Sequence, residues 1–75
     1  MKNEISNPYE QFLPSERAYL LLNKYPLDYV KMVVNGIIKN ADKNNEIVNL
    51  EYWNEVSIEI KNIINENREF FRDYL

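Results

Sequence analysis

Cysteine, histidine and threonine are missing from this chain, and glycine occurs once. Each absence removes a class of chemistry. Without cysteine there is no disulfide, and without cysteine or histidine there is no ligand set for a structural zinc. A chain of 75 residues forms one domain, and so small a domain hides only about 60% of its unfolded surface. Tight helix packing or self-association is left as the source of stability. The hydroxyls other than tyrosine are Ser6, Ser15 and Ser57, and a serine nucleophile needs a base that histidine ordinarily supplies. One glycine cannot build a phosphate-cradling loop. Long apolar runs are also lacking: the longest, 18–22, is far too short for a bilayer, and the N-terminus shows no apolar signal region. These gaps predict a non-enzymatic, cytoplasmic protein with no cofactor, no metal and no membrane contact.

What is present is helical periodicity. From Trp53 the apolar residues recur in steps of three and four, through Val56, Ile60 and Ile63 to Phe70 and Tyr74, with Asn67 the one polar member of the seam. This is a heptad pattern. Leu50, Ile64 and Phe71 widen it into the broader stripe of a bundle helix. No glycine or proline interrupts 49–75, so the spacing predicts one helix over that whole range, capped by Asn49, with Val48 stapled onto Trp53.

Upstream, residues 1–7 are polar and expected to be loose. Asn7-Pro8-Tyr9-Glu10 has the form of a helix start, which Pro14 limits to a short turn over 8–13. Ser15 is placed to cap a helix over 15–24, and Pro26 ends it. Pro26 also opens a helix over 26–43 with the stripe Leu27, Val30, Val34, Ile37 and Ala41. Gly36 in its middle costs about 1 kcal/mol relative to alanine; it marks either the close approach of a neighbouring helix or a kink of helix-turn-helix type. The polar run 42–46 reads as a turn, with a scrap of extended chain at Ile47-Val48. The expected fold class is all-α, a small three-helix bundle of 15–24, 26–43 and 49–75 in a single domain, 1–75. Asparagine is abundant, at 12 residues, but dispersed, and no internal repeat is visible.

The net charge of −3 is unevenly spread, positive over 24–43 and negative over 44–75. Glu51, Glu55 and Glu59 stand four residues apart, an arrangement whose mutual repulsion amounts to about 0.2–0.5 kcal/mol per pair. Lys31, Asn35, Lys39 and Lys43 follow the same step. An antiparallel hairpin would bring Lys43 towards Glu51 and Lys39 towards Glu55, which offsets that repulsion without a metal. The lysine row offers nucleic acid at most three phosphate contacts and no arginine for reading bases, so nucleic-acid binding stands as a third reading. Tyr25 and Tyr29, one turn apart, pack in the core or, with Lys31, Lys39 and Lys43, grip a small anionic ligand such as a nucleotide between protomers.

Length points to a partner. At 1.5 Å per residue a 49–75 helix is about 40 Å long and a 26–43 helix about 27 Å. The longer one then projects beyond its neighbour with Phe70, Phe71, Tyr74 and Leu75. Either Tyr9, Phe12 and Leu13 fold over this overhang, or a second molecule covers it. Asn67 on the seam suits pairing with its own copy. The leading expectation is a protein–protein interaction module, a homodimer or the binder of an unidentified protein, with Asn67, Phe70, Phe71, Tyr74 and Leu75 as its interface.

Gly36-Ile37-Ile38, then Tyr52-Trp53, Val56 and Glu59-Ile60, resemble a pattern in small helical proteins of bacteriophages and prophages. The resemblance covers about the second half of the chain. It implies a phage accessory protein acting by binding a host component, and it implies no catalytic or ligand-binding residue.

Overall fold

The computed structural model describes residues 12–72. Three helices follow one another, α1 (Pro14–Lys24), α2 (Leu27–Lys43) and α3 (Ile47–Glu66). Both α1 and α2 pack mainly against α3 and touch one another little. The start of α1 lies at the start of α3, where the Tyr52 hydroxyl donates to the Phe12 carbonyl at 2.8 Å. Its end lies at the end of α3, where Tyr19 and Leu22 face Ile63 and Phe71. The order is therefore up, down, up: α1 and α3 run the same way, and α2 runs the opposite way along another side of α3.

Proline sets the first two helix starts. Pro14 occupies the first helical position of α1, where its fixed φ suits the helix and its missing N–H costs nothing. The helix thus begins one residue before the expected Ser15 cap. Leu13 has no side-chain acceptor, so only the returning half of a capping box forms: its N–H donates to Glu16 Oε1 at 2.8 Å. Phe12 and Leu13 are not helical, and the rest of the turn expected over 8–13 lies outside the described residues. At the other end, Tyr25 is extended because Pro26 follows it. Pro26 is itself extended and caps α2, its carbonyl accepting from the Val30 N–H at 3.0 Å.

Gly36 does not mark a close approach. A Cβ built there meets nothing within 4 Å, and α2 runs through it without a break from Leu27 to Lys43. Neither the neighbouring-helix reading nor the helix-turn-helix reading of this glycine survives. It faces open space.

The α2–α3 link is three residues, 44–46. Asn45 adopts the left-handed conformation at φ 59, one that asparagine tolerates better than most side chains. Its N–H donates to the Asp42 carbonyl at 3.2 Å, and the Glu46 N–H donates to that of Ala41 at 2.9 Å. This pair of reversed bonds is a Schellman motif, closing the orphan carbonyls of α2. Glu46 then caps α3 at once and accepts from Asn49 Nδ2 at 2.9 Å. Hence Ile47 and Val48 are helical rather than extended, and Asn49 lies inside the first turn instead of capping it. The motif reverses the chain so tightly that the helix restarts two residues earlier than its apolar pattern indicates.

The largest departure is at the other end of α3. The helix stops at Glu66, not at 75, with Asn67 as its C-cap. The Asn67 side-chain Nδ2 donates to the Ile63 carbonyl at 2.8 Å, and its backbone N–H donates to Ile63 and Ile64 at 3.0 and 3.1 Å. A turn follows, with the Phe71 N–H donating to the Asn67 carbonyl at 3.1 Å. It folds Phe71 back into the core, where that residue is 7% exposed. With 20 residues, α3 is about 30 Å long, and α2, with 17, about 26 Å. The large overhang expected of a 49–75 helix does not exist.

The core is one cluster. Trp53, Val56, Ile60, Ile63 and Ile64 of α3 meet Ala18 of α1 and Leu27, Val30 and Val34 of α2, with Phe71 closing the end. These include the seam residues expected from the heptad spacing as far as Ile63. Leu21, Leu22, Ile37, Ile38 and Tyr52 pack around the cluster.

Candidate functional site

Among the described residues α3 is flanked by a cleft on each side. The first lies between α1 and the turn after α3, with a volume of about 330 Å³. Its walls are Tyr19, Leu22 and Asn23 of α1 and Ile63, Asn67, Phe70 and Phe71 of the α3 end. Tyr19 is there because Ala18, the small residue next to it, is buried against α3 and sets the rotation of α1. Phe70 and Phe71 meet edge to face, 5.0 Å between ring centres. Phe71 is buried and Phe70 stays outside the core. It is 79% exposed, and Tyr19 across the cleft is 50% exposed. No charged side chain lines this cleft; Arg72 and Glu69, on the turn beside it, lie 3.9 Å apart as an ion pair.

Among the expected interface residues, the structure therefore brings Asn67, Phe70 and Phe71 together and gives them different duties. Asn67 caps the helix, Phe71 is core, and Phe70 alone projects. Phe71 cannot serve as an exposed anchor, and one N–H of the Asn67 amide is taken by the Ile63 carbonyl of its own chain. Tyr74 and Leu75 lie outside the described residues. Phe12 packs at the far end of the bundle beside Arg17, whose guanidinium carbon is 4.8 Å from the ring centre. Tyr19 was not expected here. It is helical and aromatic, but nothing in its spacing sets it apart from a core residue.

The second cleft, of about 310 Å³, lies between α2 and α3. Lys31 and Asn35 form one rim, Ser57 and Lys61 the other, and Val34, Ile60 and Ile64 the floor. This overturns the expected pairing of the lysine row with Glu51, Glu55 and Glu59. The register along the hairpin is close to the expected one, but the face of α3 is not. Ser57 and Lys61 lie two residues on from Glu55 and Glu59, about 200° around the helix. Among the described residues no Lys39 or Lys43 ion pair with α3 forms.

Tyr25 and Tyr29 belong to neither cleft. Tyr25 and Tyr29 lie with ring centres 5.1 Å apart and planes tilted by 43°, both partly exposed. Lys24 Nζ lies 5.5 Å from the Tyr25 ring centre. A shallow surface shared with Arg17 and Leu20 places Tyr25 on the α1 side of the bundle. Lys31 is about 200° around α2 from Tyr29, so the two tyrosines and Lys31, Lys39 and Lys43 do not converge on one ligand.

Among the described residues no three carboxylates gather to hold a metal, and no helix is long and apolar enough to cross a membrane. Of the residues that resemble the phage pattern, Trp53, Val56 and Ile60 are core while Ile37, Ile38 and Tyr52 pack against it, so the shared pattern is one of helix packing. No protein-family model, curated protein or solved structure matches the chain.

Proposed function

We propose that this chain is a non-enzymatic interaction module that pairs with a second copy of itself through the α1–α3 end. The observation behind this is a knob beside a hole: Phe70, 79% exposed, adjoins a cleft of about 330 Å³ that it does not fill. A two-fold contact uses the same patch on both copies, so it needs a projection and a matching recess next to each other. Phe70 of each copy then enters the cleft of the other and stacks between Tyr19 and Leu22. Two copies of this negatively charged chain meet here without repulsion, because the lining is uncharged. An aromatic anchor seated in a pocket is the usual centre of binding energy in such contacts. The patch is small, which implies a weak, reversible dimer rather than an obligate one. The resemblance to phage helical proteins fits the same class of action, by occupancy rather than by catalysis.

Sedimentation or light scattering over a dilution series tests the reading. A reversible monomer–dimer equilibrium is expected, and Phe70→Glu is expected to abolish it while leaving the melting temperature of the dilute monomer within a degree or two, on the order of a surface substitution. A chain that stays monomeric at every concentration, or a dimer that persists in Phe70→Glu, rules out pairing through this cleft.

A further inference from the structure

The cleft between α2 and α3 has a different chemistry, and it is independent of the self-pairing reading. Lys31 and Lys61 stand on its opposite rims, with no carboxylate in the lining. Acids outnumber bases in the chain by 12 to 9, and yet the charged residues that line this groove are two lysines, with none of the glutamate row among them. Neither lysine has an ion-pair partner among the described residues, although Asp28 is one turn from Lys31. The same lining holds Asn35 and Ser57, two neutral residues with hydrogen-bonding side chains. The floor beneath is apolar, and the aliphatic stems of the lysines extend it.

We infer that this cleft binds a small oxyanion carried on a short apolar body, a carboxylate or a phosphate monoester. The oxyanion sits between Lys31 and Lys61, where charge-assisted hydrogen bonds are the strongest available, and accepts further from Asn35 and Ser57. The apolar body lies against the floor and the lysine stems. A volume of about 310 Å³ is at the small end of ligand sites, enough for a single ring with its acid group and not for a dinucleotide. Because Lys31 belongs to α2 and Lys61 to α3, an anion held by both bridges the two helices.

The test is a chemical-shift titration of the ¹⁵N-labelled full chain with benzoate, phenyl phosphate and inorganic phosphate, repeated on Lys31→Gln/Lys61→Gln. Both lysines are exposed, so the double variant is expected to fold as the parent does, which its own spectrum checks. Benzoate and phenyl phosphate are expected to shift the amides around Lys31, Asn35, Ser57 and Lys61, with affinity falling at least about tenfold in the double variant. Added salt weakens the interaction by screening exposed charge. Absence of saturable shifts with all three probes, or shifts that survive in the double variant, overturns the site. Inorganic phosphate binding as tightly as phenyl phosphate overturns the role given to the apolar floor.

Discussion

The C-terminal ends of α2 and α3 are both closed at asparagine, by different chemistry and with different consequences. At the end of α2 the backbone does the work: Asn45 turns left-handed at φ 59, two reversed hydrogen bonds close the carbonyls, and the chain enters the next helix at once. At the end of α3 the Asn67 side chain reaches back to the Ile63 carbonyl while its φ stays at −127. No α-helix follows among the described residues, and 67–71 form a turn. The first end is a hinge between packed elements. The second is a lid, putting one phenylalanine under and leaving its neighbour on top.

The two phenylalanines give the sharpest way to break that comparison. Phe71→Ala removes a buried ring from a small core and is expected to cost about 3 kcal/mol, read as a lowered urea midpoint with little change in slope. Phe70→Ala is expected to stay within about 0.5 kcal/mol, as exposed substitutions do. Equal losses at the two positions would mean that the turn does not sort them into core and surface.

The hinge is the next test, with an effect about a third as large. Asn45→Ala places a Cβ-bearing residue without a compensating polar group in left-handed backbone, and about 1 kcal/mol is expected to be lost. Asn45→Gly relieves the same strain and is expected to gain about 0.5 kcal/mol. Both follow from thermal or urea unfolding. Glycine at position 67 should give no such gain, because that residue is not left-handed. A gain of similar size there would erase the distinction between the ends.

These ends also show where sequence reasoning stopped being able to see. Proline and period were enough to locate α1 and α2 to within a residue, because both act locally: Pro14 and Pro26 restrict their neighbours whatever the fold does. The stripe Trp53, Val56, Ile60 and Ile63 was legible for the same reason. Phe70 and Phe71 were not, since Phe70 continues the heptad and Phe71 the flank beside it as well as any helical residue, and a period cannot tell a helix from a turn that happens to bury the next apolar position. The polar member of the seam, Asn67, was visible; its meaning as a stop needed the carbonyl of Ile63. The lysine row failed for another reason. Hairpin length sets register along α3, but which flank of α3 meets α2 depends on where α1 takes its place, and that is a tertiary fact. Gly36 illustrates the same limit, for a glycine facing solvent and one under a neighbouring helix look alike in a sequence.

The smallest expected effect separates the two causes that end α3. Asn67→Ala removes one hydrogen bond to a carbonyl that keeps its backbone partner, a loss of about 0.5–1 kcal/mol. Alanine's better helix propensity, up to about 0.7 kcal/mol, is gained only if position 67 becomes helical, so with the turn intact that small loss is the whole expected change in stability. What matters is whether the helix then runs on. Five more helical residues would carry Phe71 about 7–8 Å beyond Glu66, past the end of α1 and out of its site. Burial of that ring is worth about 1.5–3 kcal/mol, more than the propensity gain, so the turn should hold. Carbon secondary shifts at 67–70 are therefore expected to remain non-helical in Asn67→Ala and to become helical when Phe71→Ala is added. Helical shifts in the single variant would show that the asparagine cap, and not the buried phenylalanine, decides where α3 ends.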